Sequence, residues 1–272
     1  MDNDISRKAL YKTFSDKKFL FVAIVFMVSF LVDIIDLKAM MTSMSIANLI
    51  TQVLDALNPE ALGELTLSGW FFNLPAVLLT KVFMIPSALL GISAIIIYTG
   101  AKGEKDKTFV NGAKTLQAYS LVSVICCVLF VAILLCLAIF SIGLFWGIEI
   151  DNAFMIGVVA FLWVFLVFVP FCGVVVMVVG VFYYCAFFRM SREMVKVIKN
   201  EDNKFKTRKF FSVLLWILGI ATIASTGFSS WSGLINACEG VAYILFAITL
   251  SDYTKNYKKA EQEKQEVDVF DL

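Results

Sequence analysis

Residues 154–188 form an apolar run of 35 residues without one charged side chain. As a helix this run would be about 52 Å long at 1.5 Å per residue. A soluble domain has no core deep enough to cover it, whereas a bilayer with a hydrocarbon layer of about 30 Å accommodates it as a tilted span that continues beyond the lipid. Pro170 is the one position in the run where a kink is expected. A break into two spans is not expected, because Val169 to Gly173 supplies no polar turn and exposed turn backbone is not tolerated in lipid.

Five further apolar runs lie at about 19–35, 75–98, 119–146, 210–227 and 232–250. Composition agrees: 60% of residues are hydrophobic and 17% charged, against about a quarter charged in an average soluble domain. Mean hydropathy is +0.85. A soluble enzyme, a disordered chain and a fibrous repeat are all excluded by these values. The expected fold class is all-α: a polytopic membrane helix bundle of six transmembrane helices. Three regions follow, a basic tail at 1–18, a membrane domain at 19–250 and a C-terminal tail at 251–272.

Charge placement sets the expected orientation. Of 23 Lys and Arg, all but Lys38 and Lys81 fall in the 1–18 tail, the 100–118 and 189–209 loops and the 251–272 tail. The positive-inside rule makes that side cytoplasmic, with both termini there and the protein in the cell membrane. Trp70, Trp146 and Trp231 then fall at the outer interface, and Tyr98, Tyr119, Tyr183, Tyr184 and Tyr253 near the inner one, where amphipathic rings serve as anchors. The small-x-small sequence Ser45-Ile46-Ala47 lies too far beyond the first run to be a signal-peptide cleavage site, so the first run is expected to remain as an anchor.

In the outer segment 36–74, Ile46, Leu49, Ile50, Val53, Leu54 and Leu57 repeat at helical spacing opposite Asn48, Thr51, Gln52 and Asp55. An outer amphipathic helix over 44–57 is expected, either capping the bundle or contacting a partner. Loop 189–209 carries eight basic residues. It reads as a topology determinant that meets anionic headgroups, or as a docking site for a cytoplasmic protein partner, and Met190 to Asn200 is expected to continue the fourth helix. The C-terminal tail, with mixed charges, reads as helical at first and then disordered.

Chemistry is narrowed by absences. The chain has no histidine, which removes histidine-based catalysis, metal ligation and proton relay. Cys126, Cys127, Cys136, Cys172, Cys185 and Cys238 all lie in apolar runs without a C-x-x-C, and read as small membrane-buried hydrophobes. There is no P-loop, no G-x-G-x-x-G and no carboxylate pair at helical spacing within a span. No catalytic residue, cofactor or metal site is expected, and the net charge of +1 leaves no footprint for nucleic acid. The lipid bilayer is the one partner that composition itself requires.

Charged groups inside lipid cost about 2.5–3.5 kcal/mol each on insertion scales, so each calls for a reason. Glu239 lies in the last run, with Asn236 and Tyr243 three residues before and four after it on one helical face. Gly233, Ala237 and Gly240 make the same helix slim enough for close contact. Lys81, in the second run, and Asp33, ending the first, fall at a similar depth. Lys81, Glu239, Asn236 and Asp33 are therefore the candidate polar cluster in the outer half of the bundle. Three readings stand: a Lys81–Glu239 pair that holds two helices in register, the lining of a substrate or ion pathway, or unrelated positions.

Two stretches, SDKKFLFVAIVF at 15–26 and LGISAIIIYTGAK at 90–102, resemble multi-pass membrane proteins of low-GC Gram-positive bacteria whose activity is uncharacterised. The resemblance implies a helical membrane fold and brings no site with it. The six-helix plan is also similar to permease subunits of ATP-binding-cassette exporters, but the last loop, 228–231, is much shorter than in those permeases. The functional expectations are a transport or permease-like component, or else a non-catalytic scaffold or accessory protein acting through 189–209 or 44–57. An intramembrane enzyme is the weakest.

Overall fold

The computed structural model describes residues 2–42, 86–146, 153–201, 205–206, 209–226 and 231–270. Among these every regular element is an α-helix: α1 (Asp2–Phe14), α2 (Lys17–Thr42), α3 (Pro86–Lys102), α4 (Asp106–Trp146), α5 (Ala153–Ile198), α6 (Lys209–Ser225) and α7 (Trp231–Phe270). Three stretches are long and apolar enough to cross a membrane: Asp106–Cys136, Phe171–Ile198 and Gly233–Lys264. Pro86–Lys102 and Phe210–Ala224 are shorter apolar helices. The outer helix expected over 44–57 lies outside the described residues, as do Lys81 and Trp70.

α5 is one unbroken helix through Pro170 and on to Ile198, as expected for the longest run. Its last turns are amphipathic. Met190, Met194, Val197 and Ile198 are buried while Arg189, Arg192 and Lys199 stay exposed. The helix stops because Asn200 takes a left-handed conformation, φ 60°. The Glu201 amide then bonds the Lys196 carbonyl at 2.8 Å and the Asn200 amide bonds Val197 at 3.2 Å, a Schellman cap built on asparagine.

Among the described residues α4 packs along α5, α6 along α7 and α2 along α7. The α6–α7 pair approaches closely at Gly219 and Gly240. A Cβ on either glycine would stand within 2.7 Å of the other's carbonyl oxygen. An aromatic chain joins the helices at their core. Phe19 meets Phe246 at 5.7 Å, Phe246 meets Phe187 at 5.8 Å, and Phe187 meets Phe211 at 4.7 Å and Tyr119 at 5.6 Å. Outward faces are apolar too: Leu121, Ile125 and Val128 on α4, Phe171, Val175 and Phe182 on α5, and Phe210, Val213 and Ile217 on α6 are exposed. Large aliphatic and aromatic side chains facing outward at helical spacing are what lipid, not water, accommodates.

Both tails differ from the sequence expectation. The basic tail 1–18 contains a docked helix, α1, packed mainly on α7. Ala9, Leu10 and Phe14 are almost fully buried. A charged helix of 13 residues is marginal alone, and burial of its apolar stripe supplies what its length does not. The C-terminal segment stays helical to Phe270. Residues 255–270 contain neither Gly nor Pro and are rich in Lys, Glu and Gln, all good helix formers.

Candidate functional site

The last apolar run folds as a continuous helix, so Glu239 and Tyr243, one turn apart, project together. The Tyr243 hydroxyl donates to Glu239 Oε1 at 3.2 Å. From α2, the Ser29 hydroxyl donates to Glu239 Oε2 at 3.3 Å. One turn earlier on α2, the Phe26 ring packs on Tyr243 with centroids 5.3 Å apart. The α2–α7 contact is thus a two-rung ladder, Phe26 on Tyr243 and Ser29 on Glu239.

These groups border a cavity of about 100 Å³, completed by Pro86, Ser87 and Leu90 of α3, Tyr119 of α4 and Tyr184 of α5. Among the described residues five helices contribute, and their lining side chains bring one carboxylate together with five hydroxyls among apolar walls. Behind it, Tyr183 stacks edge-on against Tyr184 at 5.3 Å. Its hydroxyl is buried.

Of the candidate residues singled out in sequence, Glu239 borders this cavity. Asn236, two turns from Tyr243 on α7, is exposed. Asp33 lies one turn beyond Ser29 on α2, with its side chain outside those described, and Lys81 is outside the described residues. Gly240 does serve close packing, at the crossing with Gly219.

The tyrosines overturn one expectation. Tyr119, Tyr183 and Tyr253 are buried in the protein and do not anchor at an interface. Tyr119 and Tyr184 face the Glu239 cavity, and the Tyr253 hydroxyl accepts a 3.1 Å hydrogen bond from the Phe205 amide. A phenol suits an interface and a polar cavity for the same reason, an apolar ring with one polar end. Ser29 was legible as the polar residue within the otherwise apolar stretch 19–32, and Ser87 follows Pro86 at the start of α3.

At the helix ends away from this cavity, α1 is held by polar contacts to α4 and α7. Arg7 pairs with Asp106 at 3.3 Å, and the Tyr11 hydroxyl donates to the same carboxylate. Asn256 Nδ2 donates to Thr13 Oγ1 at 3.0 Å, and at the start of α2 Lys18 pairs with Asp252 at 2.9 Å. Burial first, then the Asp106 hydrogen bond, push the Tyr11 phenol well above its ordinary value.

Among the described residues no three His, Cys, Asp or Glu gather as metal ligands. Cys126 and Cys127 are buried within the protein, while Cys136, Cys172, Cys185 and Cys238 lie on exposed faces of apolar helices. No family model, curated protein or solved structure matches the chain.

Proposed function

We propose that the chain is a six-span protein of the cell membrane, with both termini cytoplasmic, that works as a transport or permease-like component with the Glu239 cavity on its pathway. The observation that carries this reading is a carboxylate set among hydroxyls at a cavity formed by five helices. A carboxylate costs free energy in lipid, and a structural tie between α2 and α7 needs no cavity. Glu239 stands about three turns before the end of the last apolar run, and Ser29 about three turns after the start of the first. In this orientation both residues stand somewhat nearer the outer end of their runs than the inner end, the half in which the candidate polar cluster is expected.

The second reading, a scaffold or accessory protein acting through 189–209 or 44–57, has a narrower basis. The apolar side of the α5 extension is buried within the chain, which leaves Arg189, Arg192 and Lys199 as its exposed groups. These suit anionic headgroups as well as an acidic partner.

Cysteine accessibility separates the readings. In a background without the native cysteines, Ser29→Cys, Ser87→Cys and Tyr243→Cys are treated with a membrane-impermeant thiol reagent in sealed vesicles. A pathway gives labelling at the three positions that a transported solute reduces. A sealed structural tie gives none, and would sink the transport reading.

A further inference from the structure

We infer that the outward face of α5 from Val175 to Arg192 binds an anionic phospholipid of the leaflet that meets its basic end, with the chains along the apolar residues and the phosphate on Arg189 and Arg192. The inference holds whether or not the Glu239 cavity carries a solute. It rests on the order of side chains along one helix face and on the register of the neighbouring helix.

α5 is unbroken from Ala153 to Ile198, so residues three, four and seven apart share a face. Val175, Val178, Phe182, Cys185, Arg189 and Arg192 follow one another at steps of three and four, and all six are exposed. The series changes once, from apolar to cationic, between Cys185 and Arg189. From Val175 to Cys185 the rise is about 15 Å, half of a hydrocarbon layer of about 30 Å and so the depth of one leaflet. Arg189 and Arg192 are three residues apart, close enough for both to reach one phosphate. A guanidinium donates paired hydrogen bonds to phosphate oxygens and sheds its water more readily than an ammonium. Glu193, one turn beyond Arg189, is half-buried with Oε2 inside the protein, and both arginines stay exposed beside it.

The neighbouring helix changes character at the same level. Tyr119 of α4 packs on Tyr184 with centroids 5.7 Å apart, and Cys127 Sγ lies 3.6 Å from where a Cβ on Gly180 would stand, so the two helices run antiparallel. Lys114 is five residues before Tyr119 and Arg189 five after Tyr184, so both lie about 7.5 Å further in the same direction. Leu121, Ile125 and Val128 face outward on α4 short of that level, and Lys114 is exposed at it. One level of change from apolar to cationic on two helices is where the phosphates of a leaflet lie. An acidic protein would have to press into the headgroups to reach guanidinium groups one turn past the exposed Cys185, which favours lipid as the occupant.

The test uses the purified full-length protein in detergent. Thermal unfolding is followed with rising phosphatidylglycerol, with phosphatidylcholine of the same chains, and with soluble glycerol phosphate or polyglutamate. Phosphatidylglycerol should raise Tm by about 2–4 °C for each tenfold rise in concentration above Kd, and the other three should not. Arg189→Gln and Arg192→Gln together should lower the apparent affinity about tenfold or more, and each alone about 3- to 10-fold. Lys8→Gln with Lys258→Gln removes as much charge at two other exposed positions and should leave the response unchanged. Should the double arginine variant fail to fold, native mass spectra of lipid bound to the two single variants give the same comparison. An equal shift with phosphatidylcholine, a full response in the double arginine variant, or glycerol phosphate or polyglutamate matching phosphatidylglycerol overturns the proposal. Arginine-dependent lipid binding in a protein whose Glu239 cavity admits no thiol reagent would keep this site and remove the transport reading.

Discussion

The Ser29 hydroxyl on α2 donates to the Glu239 carboxylate on α7 at 3.3 Å, across 210 residues of sequence. It places a hydrogen-bond donor where a charged group in lipid most needs one. Bonds to charged groups contribute about 1.5–3 kcal/mol, more than neutral ones. Ser29→Ala is expected to lower stability by about that amount in thermal or denaturant unfolding in detergent. Ser29→Thr, which keeps the hydroxyl, should lose less. Equal losses for both variants would mean that packing, not the hydrogen bond, sets the cost.

The α6–α7 crossing makes a contrasting pair of predictions. A Cβ at Gly219 would stand 2.6 Å from the Gly240 carbonyl oxygen, which is backbone and cannot swing away. At Gly180 the nearest atom is Cys127 Sγ at 3.6 Å, an ordinary contact. Gly219→Ala should therefore destabilise by about 1–3 kcal/mol. Gly180→Ala should be neutral or slightly stabilising, through the helix propensity of alanine. Size-exclusion profiles after a heating series would rank the two, and a Gly219→Ala protein as heat-resistant as wild type contradicts the close crossing.

The docking of α1 predicts large effects from a segment that reads as a basic tail. Phe14 is buried, with edge-on contacts to Phe19 at 4.9 Å and Phe109 at 6.0 Å. Phe14→Ala is expected to cost about 3–5 kcal/mol, as for other buried aromatic truncations. Replacing the exposed Lys8 by Ala should change stability by less than about 0.5 kcal/mol. Thermal unfolding in detergent measures both, and similar small losses would mean that α1 is not docked in solution.

The Tyr11 phenol is held neutral by burial and by its bond to Asp106. Its pKa is raised, so its contribution is complete below the ordinary tyrosine value of about 10 and is lost as pH rises from there toward the raised value. Wild type should be more stable than Tyr11→Phe at pH 8, and the gap should narrow as pH passes 10. A gap that is constant from pH 8 to 11 contradicts the assignment.

Hydropathy made the helices legible because a span must be apolar over its whole length, whatever its neighbours are. The continuity of α5 through Pro170 followed from the same constraint. Azimuth was not legible in this way. Glu239 stood out by its charge alone, but which hydroxyls would meet it depended on which helices pack together. Tyr119 and Tyr184 were visible in sequence, yet the same amphipathic ring fits an interface or an internal cavity, and only the packing decides. Asn236 lies two turns from Tyr243 on the same helix yet is exposed and does not border the cavity. In α1, five charged residues mask the apolar stripe of Ile5, Leu10 and Phe14.

Access from water to the Glu239 cavity tests the central claim most directly. The Ser29→Cys, Ser87→Cys and Tyr243→Cys proteins, in the background without the native cysteines, are placed in proteoliposomes. Their reaction with a membrane-impermeant thiol reagent is followed. The account predicts labelling at the three positions above that of the cysteine-free protein. Labelling no higher than that background at all three would contradict it.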